Sequence, residues 1–213
     1  MTLPMTLHLA ALWLLLQTGQ DSAVPTFHSS KAPVSAEIAA RMRQSAWREG
    51  CPTPIADLVY LRLSHVGFDS AMHEGELVVH KDLADEVIAI FKALFDQRFP
   101  IEKMKLVDEY QGRDDASMAD NNTSAFNCRF VPEKPGTFSK HSQGRAIDIN
   151  PRVNPMVSGT TVSPAGGAQF LVPRSKAPGI LREGAPAIAE FTRRGWTWGG
   201  TWKSLKDYQH FEK

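Results

Sequence analysis

The chain is expected to fold as a single α+β domain. Amphipathic helical stretches alternate with short apolar strand-like runs, an order compatible with that class, and no internal repeat is evident. The 213 residues, 42% apolar and 9% aromatic, are enough to bury one substantial core.

Ser35 to Arg48 reads as a helix, with Ser35 as N-cap and apolar Ile38, Met42 and Ala46 at four-residue spacing. The segment from Gly50 through Pro52 to Pro54 breaks it. Leu58 to Leu63 is strand-like, and Leu77 to His80 suits a short strand. Val87, Ile90, Phe91, Leu94 and Phe95 share one face of a longer helix that ends before Phe99-Pro100. Lys105 to Glu109 reads as a strand. Asp114 to Asn121 and Glu183 to Arg194 read as helices, the second stopped by Gly195 in a left-handed conformation. Between Asn150 and Gly184, Pro151, Pro155, Pro164, Pro173 and Pro178 mark a long irregular excursion whose position suggests that it borders a cleft.

Leu7 to Leu16 is an apolar run interrupted by His8. It is shorter than the roughly 20 residues that span a bilayer and suits a secretory signal, although Met1 to Thr6 carries no Lys or Arg. An apolar N-terminal helix of the folded domain is the alternative. The expected division is 1–23 signal peptide, 24–49 N-terminal helical segment and 50–213 main domain, with export to the periplasm, envelope or medium and no membrane span once the signal is removed. A formal net charge of +1, from 24 basic and 23 acidic residues, gives no electrostatic case for nucleic-acid binding. Cys51 and Cys128 form one disulfide in an exported protein, or remain two buried thiols. A bridge would close a loop worth about 4 kcal/mol in the chain-entropy account.

The chemistry concentrates in two segments. Residues 139 to 148 read Ser139-Lys-His141-Ser-Gln-Gly144-Arg-Ala146-Ile-Asp148, and the chain ends Asp207-Tyr-Gln-His210-Phe-Glu212-Lys213. An extended strand would hold His141 and Asp148 roughly 23 Å apart, whereas ligands of one zinc lie about 2.0–2.2 Å from it. The chain must fold back, and Gln143-Gly144 supplies the bend between two strands. Ala146 to Ile149 has strand alternation that turns Asp148 away from Ile147 and Ile149. Asp207 and His210, three apart, reach the same side only from a turn, expected over Lys206 to Gln209. Three protein ligands with one open position describe a catalytic zinc, and a further carboxylate beside it can take a proton. His8, His28, His65, His73 and His80 have no comparable partner spacing.

These two segments, with Gly195-Trp196-Thr-Trp198-Gly199-Gly200-Thr-Trp202 between them, resemble the zinc peptidases of the D-alanyl-D-alanine carboxypeptidase and L-alanyl-D-glutamate endopeptidase family, peptidase family M15. The similarity covers Cys51 to Lys213 and is strongest from Asn121 onward. It implies a small, mostly antiparallel sheet with packed helices, the hedgehog/DD-peptidase-like zinc peptidase fold. It further implies His141, Asp148 and His210 as ligands of one Zn2+, and Asp207 as the base that takes a proton from a metal-activated water. The family also uses an arginine for the oxyanion or the substrate. Arg129 is the stronger local candidate and Arg113, in Tyr110-Gln-Gly112-Arg113, the other. Ser139 resembles the family serine that contacts substrate and equally suits a turn. Trp196, Trp198 and Trp202 suit core packing, or a wall beside the cleft. The sequons at Asn121 and Asn122 suit capping or turn roles more than glycosylation. The expected activity is hydrolysis of peptidoglycan stem peptides by a monomer, as an L-Ala-D-Glu endopeptidase, the branch that the last block resembles most, or as a D,D-carboxypeptidase. The rivals are a zinc-holding cell-wall binding module without turnover, as among hedgehog-type relatives of this fold, and a phage lytic enzyme.

Overall fold

The computed structural model describes residues 25–132, 134–171 and 176–213. The apolar run Leu7 to Leu16 and its reading as a signal lie outside these residues. The largest sheet joins β1 (Ser29–Pro33), β2 (Leu58–Val66) and β3 (Met72–His80), all antiparallel. The segment 24–49, expected to be helical, therefore opens with a strand. Every residue of β1 is exposed, so it carries no apolar alternation to reveal it, and its pairing with β2 as an edge strand rests on backbone bonds. Helix α1 (Ala36–Arg43) follows, capped by the Ser35 hydroxyl, which accepts the Ile38 N–H at 3.2 Å. Its Met42 packs with Leu58, Val78, Leu106, Phe126 and Cys128. Cys51 and Cys128 are joined by a disulfide, with 6.1 Å between their Cα atoms.

Helix α2 (Ala84–Asp96) lays Val87, Ile90, Phe91 and Leu94 on Leu61, Leu63, Leu77 and Val79 of the sheet, as the 3.6-residue period requires. Each such buried side chain contributes about 1.5–3 kcal/mol, so this contact is the main fixture of the core. The strand expected over Lys105 to Glu109 is instead a short β4 (Lys103–Met104), parallel to β5 (Asn122–Thr123), followed by a 3-10 turn over Val107–Tyr110. The cause is a side chain. Asn122 Oδ1 accepts the Lys105 N–H at 2.8 Å and its Nδ2 donates to the Lys105 carbonyl at 3.0 Å, so an amide takes the place of a partner strand. Helix α3 (Asp114–Ala119) and the hairpin of β6 (Phe130–Val131) and β7 (Lys134–Phe138) follow.

Beyond them, β8 (Ala146–Asp148), β9 (Met156–Ser158), β10 (Thr161–Ser163), helix α4 (Pro186–Thr192), β11 (Thr197–Trp198), β12 (Lys206–Asp207) and β13 (His210–Glu212) build two small antiparallel sheets. Their strand orders are β11-β13-β8 and β10-β9-β12. The α+β class and the largely antiparallel pairing agree with expectation, and Asp148 and His210 lie on the small β11-β13-β8 sheet. Helix α4 is stopped as expected near Gly195, whose φ is +83°.

In the described part of the excursion after Asn150, β9 and β10 form a hairpin that its proline content did not suggest. Buried asparagines tie it down. Asn121 Oδ1 accepts the N–H groups of Arg152 and Val153, while Asn150 and Asn154 both donate to the Gly179 carbonyl. Gly179 allows this approach, since a Cβ there would lie 2.3 Å from Asn150 Nδ2. Asn121 and Asn122 are fully buried, in keeping with structural roles for both. No described helix is long and apolar enough to cross a membrane.

Candidate metal centre

Three elements deliver His141, Asp148 and His210 to one buried point. In the antiparallel pair of β8 and β13, His210 lies directly opposite Asp148, Phe211 opposite Ile147, and Glu212 opposite Ala146. Side chains opposed across a pair share a face, so register alone brings His210 to Asp148. Ile147 and Phe211 point the other way into the core, where Phe211 stacks on Phe191 with 3.9 Å between ring centroids. The far edge of β8 is closed by Ser124, whose N–H and carbonyl pair with the backbone of Asp148 at 3.0 and 2.9 Å.

His141 arrives by a different route from the expected hairpin. It sits in a 3-10 turn over Lys140–Gln143, capped by the Ser139 hydroxyl and ended by Gly144 at φ +65°. The bend was therefore correctly placed, but β7 and β8 pair with other strands and not with each other. Gly144 is required twice over, by its left-handed φ and because a Cβ would lie 2.6 Å from the His80 nitrogen.

The donor atoms converge. His141 Nε2 lies 3.2 Å from His210 Nδ1 and 3.1 Å from Asp148 Oδ2, and His210 Nδ1 lies 3.0 Å from Asp148 Oδ1. Among the described residues this is the one group of three or more His, Cys, Asp or Glu side chains close enough to share a metal ion. The two imidazole nitrogens, 3.2 Å apart, already stand near the roughly 3.3 Å that separates two donors of one tetrahedral zinc, and Asp148 turns a different carboxylate oxygen to each of them. Two imidazoles and a carboxylate are the donor set that zinc takes in such sites. The outer nitrogens are also engaged: His141 Nδ1 meets the Ala125 carbonyl at 2.5 Å, and His210 Nε2 meets Glu212 Oε2 at 3.2 Å.

The electrostatics fit cation binding. Burial alone would push the Asp148 carboxyl up, but His141 and His210 outweigh it and hold the group well below the usual carboxylate range. Burial opposes a charge on His210, yet its bonds to Asp148 and Glu212 push the imidazole up to about 10. Without a metal the cluster thus keeps a proton where a divalent ion would place its charge, and binding such an ion would release that proton.

Asp207 stands on β12, paired with Met156 of β9, so the Pro-rich excursion supports the strand that carries this carboxylate. A bend at Tyr208 and Gln209 separates it from His210, a more extended arrangement than the turn expected over Lys206 to Gln209. Burial pushes the Asp207 carboxyl up to about 6, against the charges of His210 and His141 and with that of Asp148. Its Oδ1 is sealed from solvent without a hydrogen-bond partner. Gly199 lies against it, where a Cβ would be 2.6 Å from the Asp207 carbonyl oxygen and 2.9 Å from its Cβ.

Arg129 is tied to the same turn: its N–H donates to the Ser142 hydroxyl at 2.8 Å and its carbonyl accepts the Ser139 N–H at 3.0 Å. Its guanidinium pairs with Asp114 at 3.0 Å and leaves a buried Nε without an acceptor. Arg113 is exposed at the start of α3. Ser139 uses its hydroxyl to cap the His141 turn, the turn role that its sequence context allowed. Trp196 and Trp198 are buried in the core, while Trp202 is half-buried with its ring 5.3 Å from that of His210. Glu212 had no role in the sequence reading. The signal was present, since alternate residues of a strand face the same way and Glu212 follows His210 by two. The Ala125 carbonyl, a backbone group, left no trace in residue identity.

Residues 133–213 match the family model described as D-alanyl-D-alanine carboxypeptidase. No curated protein and no solved structure matches the chain.

Proposed function

We propose that this chain, whose residues 133–213 match the D-alanyl-D-alanine carboxypeptidase family model, is an M15-type, zinc-dependent hydrolase of peptidoglycan stem peptides. The observation that carries the reading is the buried cluster in which His141 Nε2 and His210 Nδ1 lie 3.2 Å apart and each meets one oxygen of Asp148, at 3.1 and 3.0 Å. When bound, zinc would supply Lewis acidity, activating a water and polarising the peptide carbonyl. Asp207, raised by burial toward neutral pH, accepts the proton from the attacking water and hands it to the leaving amine. Arg129, anchored by Asp114, directs its remaining N–H groups to a substrate carboxylate or to the developing oxyanion. Trp202, half-buried beside His210, walls the same region.

The bond cleaved is the terminal D-Ala-D-Ala bond or the L-Ala-D-Glu bond, and the description of the matching family favours the first. The disulfide between Cys51 and Cys128 supports export to an oxidising compartment, and with it the reading of residues 1–23 as a signal peptide and 50–213 as the catalytic domain. A zinc-holding binding module without turnover is the second reading. The buried carboxylate of Asp207 argues against it, because such a module has no use for a base. Incubating the protein with defined muropeptides, with and without chelator, and weighing the products tests both. Chelator-sensitive loss of a terminal Ala identifies a carboxypeptidase, and release of the stem after L-Ala an endopeptidase. A protein that binds zinc and muropeptide but releases no product is the binding module.

A further inference from the structure

His210 has two ring nitrogens and the geometry gives each a separate task. Nδ1 faces Asp148 and His141 at 3.0 and 3.2 Å, so in a metal centre it is the lone-pair nitrogen. The ring proton then belongs on Nε2, which requires an acceptor on that side. Glu212 Oε2 lies there at 3.2 Å, held by the register of β13 against Ala146 of β8 on one side and Thr197 of β11 on the other. The pair is shielded, with 8% of the His210 side chain and 30% of the Glu212 side chain exposed. The two imidazoles differ in this respect, because His141 has its outer nitrogen on the backbone carbonyl of Ala125.

We infer that Glu212 is the positioning residue for His210: its carboxylate accepts the Nε2–H, fixes the tautomer that presents Nδ1 to a metal ion, and locks the ring on the face of Asp148. The inference rests on the metal reading of the His141, Asp148 and His210 cluster. Carboxylates in this position commonly change metal affinity by about 10–100-fold.

The test measures zinc affinity by competition with a chromophoric chelator for the wild type, Glu212→Ala and Glu212→Gln. The tautomer of His210 is read in the same zinc-loaded proteins from 15N chemical shifts of the imidazole. Glu212→Ala should bind zinc about 10–100-fold more weakly and lose the single Nε2–H tautomer. Glu212→Gln keeps an oxygen that can accept the same N–H, and should retain that tautomer with a smaller loss of affinity. The glutamine variant also serves if the alanine variant fails to fold. Zinc affinity within twofold of wild type in Glu212→Ala, with the tautomer unchanged, overturns the role of Glu212. If Glu212→Ala does not fold, Glu212→Gln that has lost the single Nε2–H tautomer yet binds zinc within twofold of wild type overturns it. A wild-type protein without zinc affinity, or a His141→Ala variant that binds as tightly as wild type, refutes the metal centre itself, and the role of Glu212 falls with it.

Discussion

Substituting alanine for Gly199 should disable catalysis while leaving every side chain that performs it unaltered in sequence. The added Cβ would lie 2.6 Å from the Asp207 carbonyl oxygen and 2.9 Å from the Asp207 Cβ, against an ordinary contact that begins at 3.4 Å. The first contact is short by about 0.8 Å, and neither contacted atom is the far end of a flexible side chain that could swing away. Relief must therefore come from moving β12, whose pairing with Met156 resists it. Misplacing a reacting group by about 1 Å can cost about a hundredfold in rate, and overpacking typically costs 1–3 kcal/mol of stability. Gly199→Ala should thus reduce kcat on a muropeptide by about a hundredfold, lower Tm by about 2–12 °C, and leave zinc stoichiometry unchanged, since the three atoms nearest the added Cβ all belong to Asp207. Wild-type kcat in a folded Gly199→Ala protein would refute the claim that this glycine sets the position of Asp207.

Further outcomes follow from other contacts. Asp207→Ala should retain one zinc per chain by elemental analysis and lose at least about a hundredfold in hydrolysis; wild-type turnover would remove Asp207 from the mechanism. His65 is 4% exposed on β2, and burial, aided by neighbouring His73, lowers its imidazole to about 4. The unfolded chain then binds the extra proton between about pH 6.5 and 4, so this contribution is intact above pH 6.5 and is lost as pH falls through that window. Urea unfolding of wild type and His65→Leu should diverge by about 2–3 kcal/mol between pH 7 and 4.5, with the wild type losing more; parallel pH profiles would contradict the burial argument. The bridge between Cys51 and Cys128 spans 77 residues, so Cys51→Ser with Cys128→Ser should cost about 4 kcal/mol and lower Tm by about 8–16 °C, and an unchanged melting curve would count against it.

How far the sequence could be read depended on whether a feature was written in side-chain periodicity. Helix α2 was legible because Val87, Ile90, Phe91 and Leu94 repeat at helical spacing and bury that face. Strand β1 was not, because its exposed residues pair through the backbone. The turn after Val107 was hidden for a related reason, since Asn122 satisfies Lys105 from a position 17 residues away. In the candidate site two His and two Asp stood out by residue type and spacing, their division into three ligands and a base came from the family resemblance, and Gly144 correctly marked the bend. The hairpin first inferred there was wrong in partner: β8 pairs with β13, a contact 62 residues distant at Asp148 and His210 that no local pattern encodes. The same non-local register gives Glu212 its place beside His210.

The central claim is that hydrolysis runs through the His141, Asp148 and His210 cluster, and it is tested most directly by adding zinc stepwise to metal-free protein while following muropeptide cleavage. Activity should rise from the background in proportion to zinc and level off at about one equivalent per chain, as three protein ligands around a single ion require. Full activity in the metal-free protein, or zinc saturation with no cleavage of any stem peptide, would contradict it.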